Sequence, residues 1–465
     1  MTKDIPRILL AGDRSSSGKT TIVAGLLSAL RNRDLNVQSY KVALDYIDPS
    51  YHTWITGRWC RNLDGHLMPE RIVREVYDHA AKGADIAVIE GVRGLYEGYE
   101  GDRGSTAQIA KMLKAPTILV VDARSITRSA AALIKGYMDF DPSVDIRGVI
   151  LNKIGGERHA RKAISAIKDH VGVEVVGVIP REEEMHLSMR HLGLVPMVEG
   201  ARRHEGFMER LDQIRHVVEE GLDIDRIREI ASEAEPLEAP EPDLYRPTQE
   251  GEGIRVGVAI DEAFNFYYRD NIELIELTGA EVVPTSPIHD SSLPEIDGLY
   301  IGGGYPELYA EELSNNDGMI DSIRAAQERG MPIFGECGGL MYLSREIEYD
   351  GKSHPMVGLV PGRSRMGGRR IVSYTEGVFS RDNPLGPVGT SFLGHEFHHS
   401  EMIMEEDVEY AIKLQRGTGI EKGFDGVIKG NMLASYAHFH AASYREFPKH
   451  FIKIAKDEKG VLSEK

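Results

Sequence analysis

The stretch ILLAGDRSSSGKTT at 8–21 constrains this chain more than any other. Its apolar opening reads as a buried strand, a Ser/Gly loop follows, and 21–30 reads as an amphipathic helix. Strand, loop and helix in that order are the context of a phosphate-binding loop. Backbone N–H groups at the loop and helix N-terminus lack intrahelical partners, and the helix dipole favours an anion there. Lys19 adds a point charge for the β- and γ-phosphates, and the Thr20 hydroxyl can ligate Mg²⁺. Gly12, Ser17, Gly18, Lys19, Thr20 and Thr21 are therefore the expected ATP-binding residues. The usual GxxxxGK[ST] pattern would put a glycine where Asp13 stands; Gly12 lies one position earlier, so this loop is a residue longer.

At 465 residues the chain exceeds one ordinary core, and its pattern divides it. Short β-branched runs at 37–42, 85–90, 117–121, 148–151 and 175–179 alternate with helical stretches at 70–81, 125–137 and 158–170. That alternation predicts an α/β fold with a mostly parallel, doubly wound sheet. Ligands of such sheets sit at the carboxyl ends of the strands, where the phosphate loop lies. Helices over 207–234 close this half. The segment EPLEAPEPDLYRP at 235–247 has four prolines and no periodicity, which reads as a linker. A new strand at 254–260 opens a second α/β unit. The expected domains are 1–234 and 253–465, with 235–252 as linker.

A net charge of −18 disfavours nucleic acid and anionic membrane surfaces as partners. No apolar run approaches the ~18 residues of a membrane span, and 1–14 carries no signal-peptide core. Two cysteines, Cys60 and Cys337, exclude a disulfide framework and suit a reducing cytoplasm. An acidic protein that binds anions must gather its basic residues; Arg58/Arg61, Arg93/Arg103 and the run from Arg363 to Arg370 are the candidate clusters.

In the first half, KVALDYIDPSYH at 41–52 sets Lys41, Asp45 and Asp48 just past a strand. Two readings stand side by side. In one, Asp48 simply caps a turn, since Asp-Pro initiates turns; in the other, the two carboxylates hold Mg²⁺ or steer a substrate beside the phosphate site. DIAVIEG at 85–91 is sharper: apolar residues lead to Glu90 at a strand's carboxyl end, the geometry that holds Mg²⁺ directly or through water.

In the second half, MPIFGECGGLMYL at 331–343 reads as strand, Gly-flanked turn and helix, with Cys337 on the turn as a nucleophile. The N–H of Gly338 is one oxyanion donor, and LYIGGGYPE at 299–307 offers Gly303 and Gly304 for a second. ASYAHFH at 434–440 supplies His438 as base. The segment HEFHH at 395–399 matches a metalloprotease zinc pattern, but that chemistry needs a helix, and Gly394 with its aromatic neighbours reads as strand and loop. Neither zinc nor flavin is expected.

A P-loop ATPase joined to a Cys/His amide hydrolase resembles a glutamine-dependent amidoligase. DYIDPSYH, RNLDGHLM, VIEGVRGLYEG, RHLGLVP, IGGGYPE, FGECGGLMYL, GHEFHHS and AHFH, in this order, resemble the cobyrinate a,c-diamide synthase family over nearly the whole chain. AGDRSSSGKTT and KVALDYIDP, where many relatives have GTxSGxGKTT and KVGPDYIDP, look like its methanogen branch, which amidates Ni-sirohydrochlorin and is also credited with cobyrinate. The resemblance implies a dethiobiotin-synthetase-like domain followed by a class I glutamine amidotransferase domain of flavodoxin-like α/β type. It implies that Cys337 attacks glutamine, that His438 shuttles protons, and that Lys19, Thr20, Glu90 and Mg²⁺ help ATP activate an acetate carboxylate of a tetrapyrrole. It associates Asp45 and Asp48 with the synthetase site. Class I amidotransferases place Glu two residues after the His, whereas this chain has His440, so the group that orients His438 stays open. Homodimerisation is left open as well. A cobyric acid synthase-like amidase, a ParA-like regulatory ATPase and a free-standing glutaminase are the rival readings.

Overall fold

The computed structural model describes residues 5–181, 204–238 and 240–463; the RHLGLVP motif at 190–196 lies outside them. The chain divides into two compact units, Met1–Pro242 and Asp243–Lys465.

The first unit is built on seven parallel strands: β1 (Arg7–Gly12), β2 (Val37–Val42), β3 (Arg61–Leu63), β4 (Ile86–Gly94), β5 (Thr117–Asp122), β6 (Ile146–Ile154) and β7 (Glu174–Pro180). Their order is β3-β2-β4-β1-β5-β6-β7. Every residue of β1, β2 and β5 is buried, as expected for a parallel sheet covered on both faces. Leu10, Val88, Val120 and Ile150 from the sheet pack with Ile22 and Leu26 from the helix Lys19–Arg31 in one core. Because β1 lies between β4 and β5, its carboxyl end opens where the chain reverses direction across the sheet, the place such folds use for ligands.

Two local expectations are corrected. The segment after β2 is the helix Ile47–Thr56, not a turn. Asp45 Oδ1 accepts the N–H groups of Ile47 (2.8 Å) and Asp48 (3.1 Å), and Pro49 falls in the first turn, where its missing N–H costs no helical bond. The helix expected from 125 begins later, at Arg128–Phe140, because Ser125 adopts φ 60°, outside helical geometry.

The second unit contains a mixed sheet. Its strands are β8 (Arg255–Ala259), β10 (Glu281–Thr285), β11 (Gly298–Ile301), β13 (Ile333–Glu336), β14 (Ser344–Tyr349), β15 (Lys352–Pro355), β16 (Val360–Phe379), β17 (Ser391–Met404), β18 (Tyr410–Arg416), β19 (Phe424–Lys429) and β20 (Met432–Ser435). A separate two-stranded sheet pairs β9 (Phe264–Phe266) with β12 (Gly303–Gly304). In the large sheet β10-β8-β11-β13-β20 run parallel, and from β20 the pairing turns antiparallel through β19, β18 and β16. Glu336 at the end of β13 pairs with Ser435 at the end of β20, so the segments leaving those strands emerge side by side.

The HEFHH segment lies wholly within β17. At a strand's rise, residues four apart are separated by about 13 Å, so His395 and His399 cannot share one zinc ion. Of the candidate basic clusters, Arg58 is committed to structure: it donates to Gln38 and to the carbonyls of Ala80 and Lys82. Arg363 pairs with Glu348 and Glu405, and Arg365 with Glu401.

Candidate functional site

The phosphate loop is set by backbone geometry and by β6. Gly18, with φ 91°, precedes the helix that begins at Lys19. A Cβ at Gly18 would lie 2.1 Å from Asn152 Nδ2, so only glycine fits. Asn152 Nδ2 donates to Ser17 O (2.7 Å), and Lys153 Nζ donates to Ser16 O (2.8 Å) while pairing with Asp122 (2.9 Å). Asp13, standing where the usual motif has glycine, is 5% exposed; its carboxylate accepts the Asp122 N–H (3.3 Å) and pairs with Arg14 (3.0 Å). Gly12 ends β1, and Thr21 sits half-buried in the first helical turn. Lys19 donates to the Arg93 carbonyl (3.3 Å); burial and the neighbouring Lys41 ammonium lower its pKa.

The acids of the first half converge beside this loop. Thr20 Oγ1 donates to Glu90 Oε1 (2.6 Å) and lies 3.3 Å from Asp48 Oδ2. Lys41 is paired across the sheet with Glu90, and its Nζ reaches Asp48 (2.5 Å), Glu90 (2.8 Å) and Asp45 (4.0 Å). Burial would lower the Lys41 pKa, but these three carboxylates raise it well above the usual lysine value. Asp45 shifts the other way: burial and the Asp48 charge push its carboxyl up to about 7. Glu90 is fully buried, a condition that raises a carboxyl, yet Lys41 and His52 hold it well below the usual range.

His52 is a member of this cluster that the sequence reading did not single out. Its Nε2 lies 3.0 Å from Glu90 Oε2 and its Nδ1 3.8 Å from Cys60 Sγ, with His52 and Glu90 both sealed from solvent. Burial works against its charge, but Cys60 and Glu90 prevail and raise its pKa to about 10. Its position on the same helical face as Asp48, one turn on, is the signal that would have found it.

In the second unit Cys337 follows β13 with φ 52° and ψ −94°, a strained turn that starts the helix Gly338–Leu343. The Cys337 N–H is spent on Ser435 O (2.8 Å), and its Sγ lies 3.6 Å from the Phe397 carbonyl. A Cβ on Gly338 would lie 3.0 Å from Gly304 N, so the two turns approach this closely because Gly338 carries no side chain. Gly303 stands against His438: a Cβ there would come within 3.0 Å of its Cε1. Cys337, His438, Gly303, Gly304 and Gly338 are thus neighbours in space.

The group that orients His438 is Glu336, the residue before the nucleophile. Its Oε1 lies 2.5 Å from His438 Nδ1, and both side chains are 1% exposed. Tyr300 donates its hydroxyl to Glu336 Oε2 (2.9 Å), and Asn271 donates to Tyr300 (3.3 Å). Cys337 lies close enough to this imidazole for the two charges to interact. Burial would lower the imidazole pKa, but the charges of Glu336 and Cys337 raise it to about 10. The cue was the one that singled out Glu90: an acid closing an apolar strand, IAVIE in β4 and PIFGE in β13. His440, two residues after His438, instead lies 3.6 Å from Asp270 and against the Tyr268 ring. His395 stacks on His438 (centroids 4.6 Å, planes 11° apart), and burial depresses its pKa, so a neutral ring covers the charged one.

These geometries agree with comparisons to known proteins. Residues 8–195 match a CobQ/CobB/MinD/ParA nucleotide binding domain, and 255–446 match a CobB/CobQ-like glutamine amidotransferase domain. A protein of Methanosarcina acetivorans named cobyrinate a,c-diamide synthase is 56% identical over 97% of this chain and 95% of its own length. Its namesake from Methanosarcina barkeri is 55% identical over 98% and 97%. That of Methanothermobacter thermautotrophicus is 44% identical over 97% and 99%. With such identity along both chains nearly end to end, the protein belongs to the cobyrinate a,c-diamide synthase family.

Proposed function

We propose that this chain uses ATP and glutamine to amidate the a- and c-acetate carboxylates of a tetrapyrrole. The observation that carries the reading is the presence in one chain of a phosphate loop facing Thr20 and Glu90 and of a Cys337–His438–Glu336 constellation. A ParA-like ATPase needs only the first, and a free glutaminase only the second.

In the amidotransferase unit the Cys337 thiolate attacks the side-chain amide carbon of glutamine. The oxygen that gains charge faces the N–H groups of Gly338 and Gly304. His438, its Nδ1 held by Glu336, gives a proton to the departing nitrogen, and NH₃ leaves as the C–N bond breaks. Water then hydrolyses the thioester and returns free thiolate and glutamate. In the synthetase unit an acetate carboxylate oxygen attacks the γ-phosphorus of ATP and ADP leaves. NH₃ attacks the resulting acyl phosphate, and phosphate departs with the acyl C–O bond. Activation is required because a carboxylate offers no leaving group to an amine.

Mg²⁺ fits the donor set on chemical grounds. Glu90 Oε1 and Asp48 Oδ2 lie 2.6 and 3.3 Å from Thr20 Oγ1, and all three are hard oxygen donors. Bound with the nucleotide, it would neutralise phosphate charge. Lys41 counters the same carboxylates, and Lys19 is left to face the phosphates. Asp45, at the mouth of this cluster, suits a role toward the ring substrate.

Two rings are compared because the loop variants favour Ni-sirohydrochlorin over cobyrinate. Supplying each ring separately with ATP, Mg²⁺ and glutamine, and reading products by mass, tests the assignment. The diamide of Ni-sirohydrochlorin is expected to form faster; two amidations on neither ring would remove the reading.

Glu336 yields a separate expectation. Glu336→Gln keeps the shape but removes the charge that holds His438, and glutamine hydrolysis should fall by about 10²- to 10⁴-fold. The pKa of His438 is raised from 6.5 to about 10, so this pair contributes stability that is complete below 6.5 and lost as pH rises through about 10. The melting-temperature gap between wild type and Glu336→Gln should therefore be widest near pH 6 and close towards pH 10, as read by thermal melts across that range. A gap that widens with pH would contradict the charged pair.

A further inference from the structure

Glu307 is a buried carboxylate that the Cys337–His438–Glu336 chemistry does not use, carried on a turn that packs against the nucleophile's own turn. It belongs to the 3-10 turn Pro306–Tyr309, which follows the glycines of β12 directly. That turn is braced on the nucleophile's own turn: a Cβ at Gly338 would lie 3.2 Å from Pro306 Cδ as well as 3.0 Å from Gly304 N.

The other buried carboxylates of this unit are answered. Glu336 has His438 and Tyr300. Asp261 has Ser286 and the N–H groups of Ala263, Phe264 and Ile288. Glu396 accepts from Thr418 and Gly419, Asp425 from Ser435 and three backbone N–H groups, and Asp270 from Tyr245. Glu307 is 8% exposed, yet its carboxylate accepts only its own backbone N–H, and among the described residues no Lys, Arg or His is paired with it. Burial accordingly pushes its carboxyl up to about 7. A carboxylate so desolvated is costly unless a cation answers it, and its small exposed fraction leaves it open to a ligand.

We propose that Glu307 receives the α-ammonium group of the glutamine whose side-chain amide Cys337 attacks. With the amide oxygen at the N–H groups of Gly338 and Gly304, two methylenes separate the reacting carbon from the carbon that bears the ammonium. The chain segment that supplies one oxyanion donor thus supplies, three residues on, the carboxylate for the other end of the substrate. This selects an amino acid over other primary amides. The inference rests on the amidotransferase reading above.

The test compares ammonia release from L-glutamine and from glutaramate, which keeps the amide and the carboxylate but lacks the amino group. The quantity read is the ratio of kcat/KM for the two, in which any loss of folded enzyme cancels. Wild type should favour L-glutamine strongly, and Glu307→Gln should lower that ratio roughly 10- to 150-fold, the loss of one charge-assisted hydrogen bond. Glu307→Asp, which keeps the charge with a shorter reach, should lower it less. An unchanged ratio in Glu307→Gln, or a wild type indifferent to the amino group, overturns the assignment. Release of ammonia from neither compound by wild type is a different failure, and overturns the amidotransferase reading together with it.

Discussion

Replacing Cys337 by alanine is expected to abolish amidation driven by glutamine while amidation driven by ammonium salts survives. In the mechanism proposed above the sulfur forms the covalent bond to glutamine. Without it no thioester forms, and loss of a covalent nucleophile costs roughly 10⁴- to 10⁶-fold in turnover. The ATP-dependent step has no counterpart to that bond, since Thr20, Lys41, Asp48 and Glu90 form a cluster of their own in the first unit. Ammonium-driven synthesis should rise with pH, because only NH₃ carries the lone pair that attacks an acyl phosphate. Product formation with each nitrogen source, measured across pH, checks this. Loss of both activities in a folded Cys337→Ala protein would place the thiol in the synthetase chemistry and end the two-site scheme.

Lys19→Ala is expected to remove synthesis from either nitrogen source, a fall of about 10²- to 10³-fold or more. Lys19 starts the helix behind the phosphate loop, is 7% exposed, and among the described residues its ammonium donates to one carbonyl, that of Arg93. Lys41, a neighbouring ammonium, is tied to Asp48 and Glu90, and Lys153 to Asp122, so neither is left to take over the phosphate charge. Glutaminase activity should persist in the same protein, since no acyl phosphate is needed to hydrolyse glutamine. Assaying ammonia release and amide formation in one preparation distinguishes a lost step from a lost fold. Unaltered amide formation would exclude the phosphate loop from catalysis.

Two features of the charge distribution explain how an acidic chain holds these sites. Near the phosphate loop, Lys41 and His52 offset Asp48 and Glu90 locally, so the carboxylates do not present bare negative charge to a nucleotide. Around His438 the charges are arranged to keep an imidazolium, while His395 beside it stays neutral through burial. Both are short-range effects in largely buried sites, where charges interact more strongly than at a solvated surface.

The sequence by itself determined the elements and the residues whose chemistry is local. A parallel strand such as Thr117–Asp122 is an apolar-rich run, and the helix Glu70–Ala81 carries its period in its own residues. Lys19, Thr20 and Cys337 were legible because loop, turn and helix are contiguous in the chain. What only the tertiary structure decided is partnership between residues far apart. That Asp48 would stand near Glu90 was not legible until β2 came to lie against β4 and brought in Lys41, which pairs with both. His440 drew notice as the replacement for a missing acid, yet its position in chain order says nothing of which carboxylate faces His438. That was settled when β13 paired with β20, which set Glu336 and His438 side by side across 102 residues. Periodicity and spacing record what a residue does with its near neighbours; strand order and register, which bring distant segments together, arise only from the packing of the whole sheet.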